Sequence, residues 1–123
     1  MKIAAIIARV LLGLMFVVFG SNIFLLFIPM PPPEGLAGDF MKALFVSHYF
    51  YLVAVLQIAG GAILLLGRFV PLGLTLLSPV IVNILLFHIF LQPAGLPLAV
   101  VVGAFALFLL WANRQAFSGL FKP

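Results

Sequence analysis

Cysteine is absent from this 123-residue chain, which excludes disulfides, thiol redox chemistry and cysteine-built metal sites. Charge is scarce as well. Six basic and two acidic residues make up 7% of the sequence, against roughly a quarter in soluble domains. Both carboxylates, Glu34 and Asp39, fall outside every long apolar run, so the chain lacks the intramembrane acid usual in proton-coupled transporters and pumps. The formal charge of +4 forms no basic stripe of the kind that binds nucleic acid. There is no G-x-S-x-G, H-E-x-x-H, P-loop or dinucleotide fingerprint. No catalytic residue is assigned, no metal site is expected, and the chain is not expected to be an enzyme on its own.

What is present is apolar sequence, 67% of all residues. Four blocks, Ile3–Ile28, Tyr49–Leu66, Phe69–Leu91 and Leu96–Ala112, contain no charge except Arg9. Each reaches or approaches the roughly 20 residues that carry a helix across a bilayer. Strands would be shorter and alternate in polarity, and no such alternation occurs. The first block is about twice a signal-peptide core and lacks an A-x-A site, so an uncleaved helix is expected. Short connections at Gly67-Arg68 and Gln92-Pro93-Ala94-Gly95 make sequential helices antiparallel neighbours. The expected fold is an all-α integral membrane bundle of four helices, up-down-up-down, in a single domain. Cytoplasmic termini place Lys2, Arg9, Arg68, Arg114 and Lys122 inside and leave only Lys42 among the cations outside, as the positive-inside rule prefers.

The one long connection, 29–48, begins Pro29-Met30-Pro31-Pro32-Pro33, which cannot continue a helix. Beyond it, Asp39 reads as the N-cap of a short helix with an apolar face at Phe40, Leu44 and Phe45. After Trp111, an interfacial anchor, residues 113–123 read as an amphipathic stub on the cytoplasmic surface, with Ala116, Phe117, Leu120 and Phe121 at helical spacing.

Polar side chains inside the blocks are few. At about 1.5 Å per residue, Gln57 lies roughly 13 Å below His48, and Asn83 roughly 12 Å below Leu91. The two amides should meet near the midplane. Asn22 lies about 9 Å below Ile28 and His88 about one turn below Leu91. One reading makes these amides interhelical glue. The sharper one is a pocket in the outer half lined by Asn22, Gln57, Asn83 and His88, opened by a kink at Pro79 beside Gly60 and Gly61. His88 and Asn83 are about 140° apart around their helix, so one site holding both must wrap it. Arg9, Gly13, Phe16, Gly20 and Phe24 form a stripe. It is either a packing face with Arg9 at its cytoplasmic end or a site where Arg9 holds an anionic headgroup or substrate.

The run Arg9-Val-Leu-Leu-Gly13-Leu-Met-Phe16-Val-Val-Phe-Gly20 resembles the first-helix pattern of DoxX-type membrane proteins, and Gly20-Ser-Asn22 is similar to the DoxX-like branch. Gln57-Ile-Ala-Gly60-Gly61-Ala-Ile-Leu-Leu-Leu-Gly67-Arg68 and Pro79-Val-Ile-Val-Asn83-Ile-Leu-Leu-Phe-His88 extend the resemblance along nearly the whole chain. It implies four transmembrane helices in the bacterial cytoplasmic (inner) membrane and an association with redox complexes, the family's name coming from a subunit linked to thiosulfate:quinone oxidoreduction. Two positions depart from the pattern: Gln57 stands where many members have glutamate, and Ile23 where they have lysine.

The first expectation is a subunit that binds lipid or a small amphipathic molecule, quinone-like in character, for a redox-complex protein partner. The alternative is an assembly or accessory subunit that recognises another membrane protein's helix. A transporter of a small neutral solute is third.

Overall fold

The computed structural model of the chain describes residues 2–25 and 34–120. Regular structure among them is entirely helical: α1 (Lys2–Leu25), α2 (Gly35–Val46), α3 (Tyr49–Leu66), α4 (Val70–Phe90) and α5 (Leu96–Ala112), with 3-10 turns at Pro93–Gly95 and Arg114–Phe117. Helices α1, α3, α4 and the run Pro93–Ala112 are long and apolar enough to cross a membrane. The proline run that follows α1, and the expected end of the first span at residues 26–28, lie outside the described residues.

The four long helices form a closed ring. Helix α3 packs between α1 and α4, α4 packs on α5, and α5 returns to α1. Two adjacent glycines let α3 serve two neighbours at once. Gly61 faces α1, where a Cβ on it would lie 2.7 Å from the Gly13 carbonyl oxygen, and a Cβ on Gly13 would lie 2.8 Å from that of Gly61. Gly60 faces α4, where a Cβ would meet the Leu77 side chain at 2.6 Å. Such close backbone approach replaces the hydrophobic drive that helices lose when lipid is their solvent.

Leu12, Leu64, Leu74, Leu77 and Leu109 are fully buried, and Ala8, Phe16, Val80, Ile81, Val102 and Ala106 join them in one apolar cluster. These residues come from the first part of α1, the end of α3, the first part of α4 and the last part of α5. One end of the ring therefore holds the large side chains. At the other end the buried residues are small or polar: Ala37, Ala54, Ala99, Asn22 and Gln57.

Short polar contacts terminate the helices. Gly67 takes a left-handed conformation (φ 74°) and its N–H donates to the Ile63 and Leu64 carbonyls, the αL ending that glycine favours. Phe69, only two residues later, is also left-handed (φ 58°), so the reversal into α4 uses two such residues. Pro71 occupies the first turn of α4, where a missing N–H costs nothing. At the end of α5, Asn113 Nδ2 donates to the Leu109 carbonyl at 2.8 Å and Arg114 to that of Trp111 at 2.9 Å.

Two local expectations are corrected. Asp39 does not cap α2: the helix begins four residues earlier with extended Glu34 at its N-cap and Gly35 at φ 65°. Asp39 is an exposed residue within α2. The C-terminal segment is not an amphipathic helix across its described part. Arg114–Phe117 is a 3-10 turn followed by turns through Leu120, Phe117 packs against the core cluster, and Leu120 is exposed. Residues 121–123, with Phe121 and Lys122, lie outside the described residues.

Candidate functional site

The four polar residues expected to converge do not form one site. Asn22 and Gln57 are buried, at 8% and 7% exposure. Gln57 sits on the α1-facing side of α3, where its Cβ is 2.9 Å from the position a Cβ on Gly20 would take. Asn22 is not without an interaction partner. Asn83, in contrast, is exposed, and its Nδ2 donates to the carbonyl of Pro79 one turn earlier, at 2.8 Å. The expected meeting of Asn83 with Gln57 is thereby overturned.

Helical geometry gives the reason. The buried residues of α4 are Gly73, Leu74, Leu77, Val80 and Ile81. At about 100° per residue, Asn83 points roughly 120° away from the centre of that face. Exposed Thr75, Pro79, Val82 and Leu86 share its outward side. Gly60 faces Leu77 and Gly73, so Pro79, on the exposed side of α4, does not lie beside the glycine pair as expected.

Three side chains bond back along α4 around this proline: Thr75 Oγ1 to Pro71 (2.8 Å), Ser78 Oγ to Leu74 (2.6 Å) and Asn83 Nδ2 to Pro79. They satisfy these donors within the helix itself. The Asn83 carbonyl oxygen has no partner among the described residues.

His88 turns inward. Its Nδ1 donates to the Ile84 carbonyl at 2.8 Å, and its ring lies over Gly95, where a Cβ would come within 2.5 Å of Nε2. Nδ1 thus carries a hydrogen, and Nε2 is the ring's other hydrogen-bonding atom. A side chain at position 95 would have to displace the imidazole. Helix α2 covers this end: Ala37 is buried, Phe40 packs on Phe87 (5.7 Å between centroids), and Phe45 meets Phe50 edge-on at 5.0 Å. His48, Tyr51 and Phe24 stack in sequence, at 5.5 and 5.0 Å, joining the α2–α3 turn to α1. No group of three or more histidine, aspartate or glutamate side chains gathers to hold a metal among the described residues.

Arg9 has an intramolecular role. Its guanidinium donates to the Leu64 carbonyl and, at 3.4 Å, to that of Leu65, and lies against Gly67, where a Cβ would be 2.8 Å from Nη1. A cation on the last carbonyls of α3 satisfies groups that a helix leaves orphaned and complements the negative end of its dipole. Sequence reasoning placed Arg9 on the packing stripe but missed this clasp. The signal was there in its depth, near the level where Gly67 ends α3.

The structure also draws attention to residues outside the expected set. Lys2 and Ala5 of α1 border a cleft with Phe108, Trp111, Ala112 and Arg114, and the Arg114 guanidinium sits 4.6 Å over the Trp111 ring. Comparison with protein-family models, curated proteins and solved structures finds no match for this chain.

Proposed function

We propose that this chain is a multi-pass protein of the bacterial cytoplasmic membrane, an up-down-up-down bundle with both termini inside, acting as an accessory or assembly subunit that binds a helix of another membrane protein. The observation that carries this reading is Asn83, an amide on the exposed side of α4, part-way along an apolar span, with its carbonyl oxygen unpartnered among the described residues. Polar groups within a bilayer normally turn into the protein, because hydrocarbon offers them no hydrogen bond. An outward amide marks the place where another helix completes the interface. The partner's helix would present a hydroxyl or amide donor to Asn83 and small side chains to Pro79 and Thr75. The resemblance to DoxX-type proteins, and through it a redox complex as the partner, belongs to the same proposal.

Affinity purification in mild detergent tests it. One membrane protein should co-purify in near-stoichiometric amount with the wild type and fall about tenfold or more with Asn83→Leu, at unchanged monomer fold. Equal recovery from both would sink the reading, and capture only of a second copy of the chain would turn it into self-association.

A second reading is favoured by a different observation. Asn22, Gln57 and inward-turned His88 occupy the end of the bundle whose buried apolar residues are alanines. That interior suits the head of a quinone-like molecule, with the Gln57 amide and His88 Nε2 as its hydrogen-bonding groups. Organic extraction of the purified protein would then yield one lipid-soluble compound, lost in Gln57→Leu. Identical extracts from both would remove this reading.

A further inference from the structure

Arg9 is occupied by α3, so the cations at that end of the bundle that face outward are different ones. A cleft of about 290 Å³ separates the start of α1 from the end of α5, lined by Lys2, Ala5, Phe108, Trp111, Ala112 and Arg114. Its volume is on the order of ten water molecules, enough for a phosphate-bearing headgroup.

We infer that this cleft binds an anionic phospholipid, with its phosphate between Lys2 and Arg114 and its first acyl carbons against Ala5 and Phe108. Four features converge. First, the two cations come from different helices and flank one opening. Second, no acidic side chain among the described residues competes for them: Glu34 precedes α2 and Asp39 lies within it, and α2 meets Phe50 at the start of α3 and Phe87 near the end of α4. That is the far end of the molecule. Third, Arg114 is pre-oriented. Its stacking on Trp111 at 4.6 Å and its bond to the Trp111 carbonyl restrain the guanidinium and leave further N–H donors without a partner among the described residues. Fourth, α1 carries no acidic residue in its first turn, so the positive end of a 24-residue helix adds to the field at the cleft. Tryptophan at the headgroup level with a cation beside it is the arrangement that an interfacial lipid contact requires.

The inference rests on the four helices being membrane spans and is independent of any partner at Asn83. Native mass spectrometry of the full chain, released from bilayers of equal phosphatidylglycerol and phosphatidylcholine, tests it. The wild type should retain phosphatidylglycerol in preference to phosphatidylcholine. The Lys2→Gln/Arg114→Gln variant should lose about tenfold of that preference, as two interfacial cations imply, whereas Arg68→Gln, at the same end but outside the cleft, should change it less than about twofold. The charge-conserving Lys2→Arg/Arg114→Lys variant should keep it. An equal loss in Arg68→Gln would mean diffuse attraction and overturn the site, as would an unchanged preference in the double variant. Displacement of the lipid by millimolar inorganic phosphate would show a site for a free anion and overturn the lipid assignment.

Discussion

The two ends of the bundle are built from the same four helices but by different means. At the Arg9 end, large leucines interlock, the arginine of α1 clasps the last carbonyls of α3, and Gly13 and Gly61 let the two backbones touch. At the α2 end, the buried residues are alanines and amides, an inward histidine rests on Gly95, and a short amphipathic helix lies across the opening. The first arrangement leaves little room for change. The second is polar within and covered by an element that makes few large buried contacts of its own, Ala37 being the only buried residue of α2. Large interlocked side chains are concentrated at one end, and small and polar buried ones at the other.

Substitutions that attack the contrast should follow a definite order. Gly61→Leu would drive a branched side chain into the Gly13 carbonyl, 2.7 Å from where its Cβ begins. We expect a loss of about 3 kcal/mol or more, measured by denaturant titration of the purified protein in micelles. Arg9→Leu should cost about 2 kcal/mol by removing the charged hydrogen bonds to the Leu64 and Leu65 carbonyls, with Arg9→Lys falling between. Gln57→Leu, at the other end, should change stability by less than about 1 kcal/mol, since even an interhelical amide bond in a membrane would be weak on average. Gly103→Ala should move it by less than about 0.5 kcal/mol, because its Cβ would meet only the flexible tip of Leu85 at 3.3 Å. If Gln57→Leu proved as damaging as Arg9→Leu, the division between the two ends would not hold.

Much of this fold is legible in the sequence because lipid imposes simple demands: a long apolar run without charge must be a helix. The blocks at 49–66 and 96–112 coincide with α3 and α5, and the block at 69–91 exceeds α4 by one residue at each end. Rotation about each helix axis is harder to read. The assumption that every intramembrane amide turns inward succeeds for Gln57 and Asn22 and fails for Asn83. Nothing in the apolar pattern of α4 distinguishes its faces, because Val82, Leu86 and Ile89 on the outside are as hydrophobic as Leu77, Val80 and Ile81 within. The 140° between Asn83 and His88 carried the warning, since only one of them can face the core, and glycine spacing held a second clue. Gly73 and Leu77, which receive Gly60, define the inner side of α4, and Asn83 lies off it. The Arg9 clasp was hidden for another reason: it joins residues more than 50 positions apart, a contact that no local pattern records.

The claim on which the account turns is that the Asn83 side of α4 is covered by another protein in the membrane. A photoreactive side chain at Leu86, 45% exposed and one turn from Asn83, should be compared in native membranes with the same group at Leu11, 46% exposed on α1. The account predicts one discrete cross-linked protein from position 86, none from position 11, and loss of the product when Asn83→Leu is added. Equal adducts from the two positions, or a position-86 product indifferent to Asn83→Leu, would contradict it.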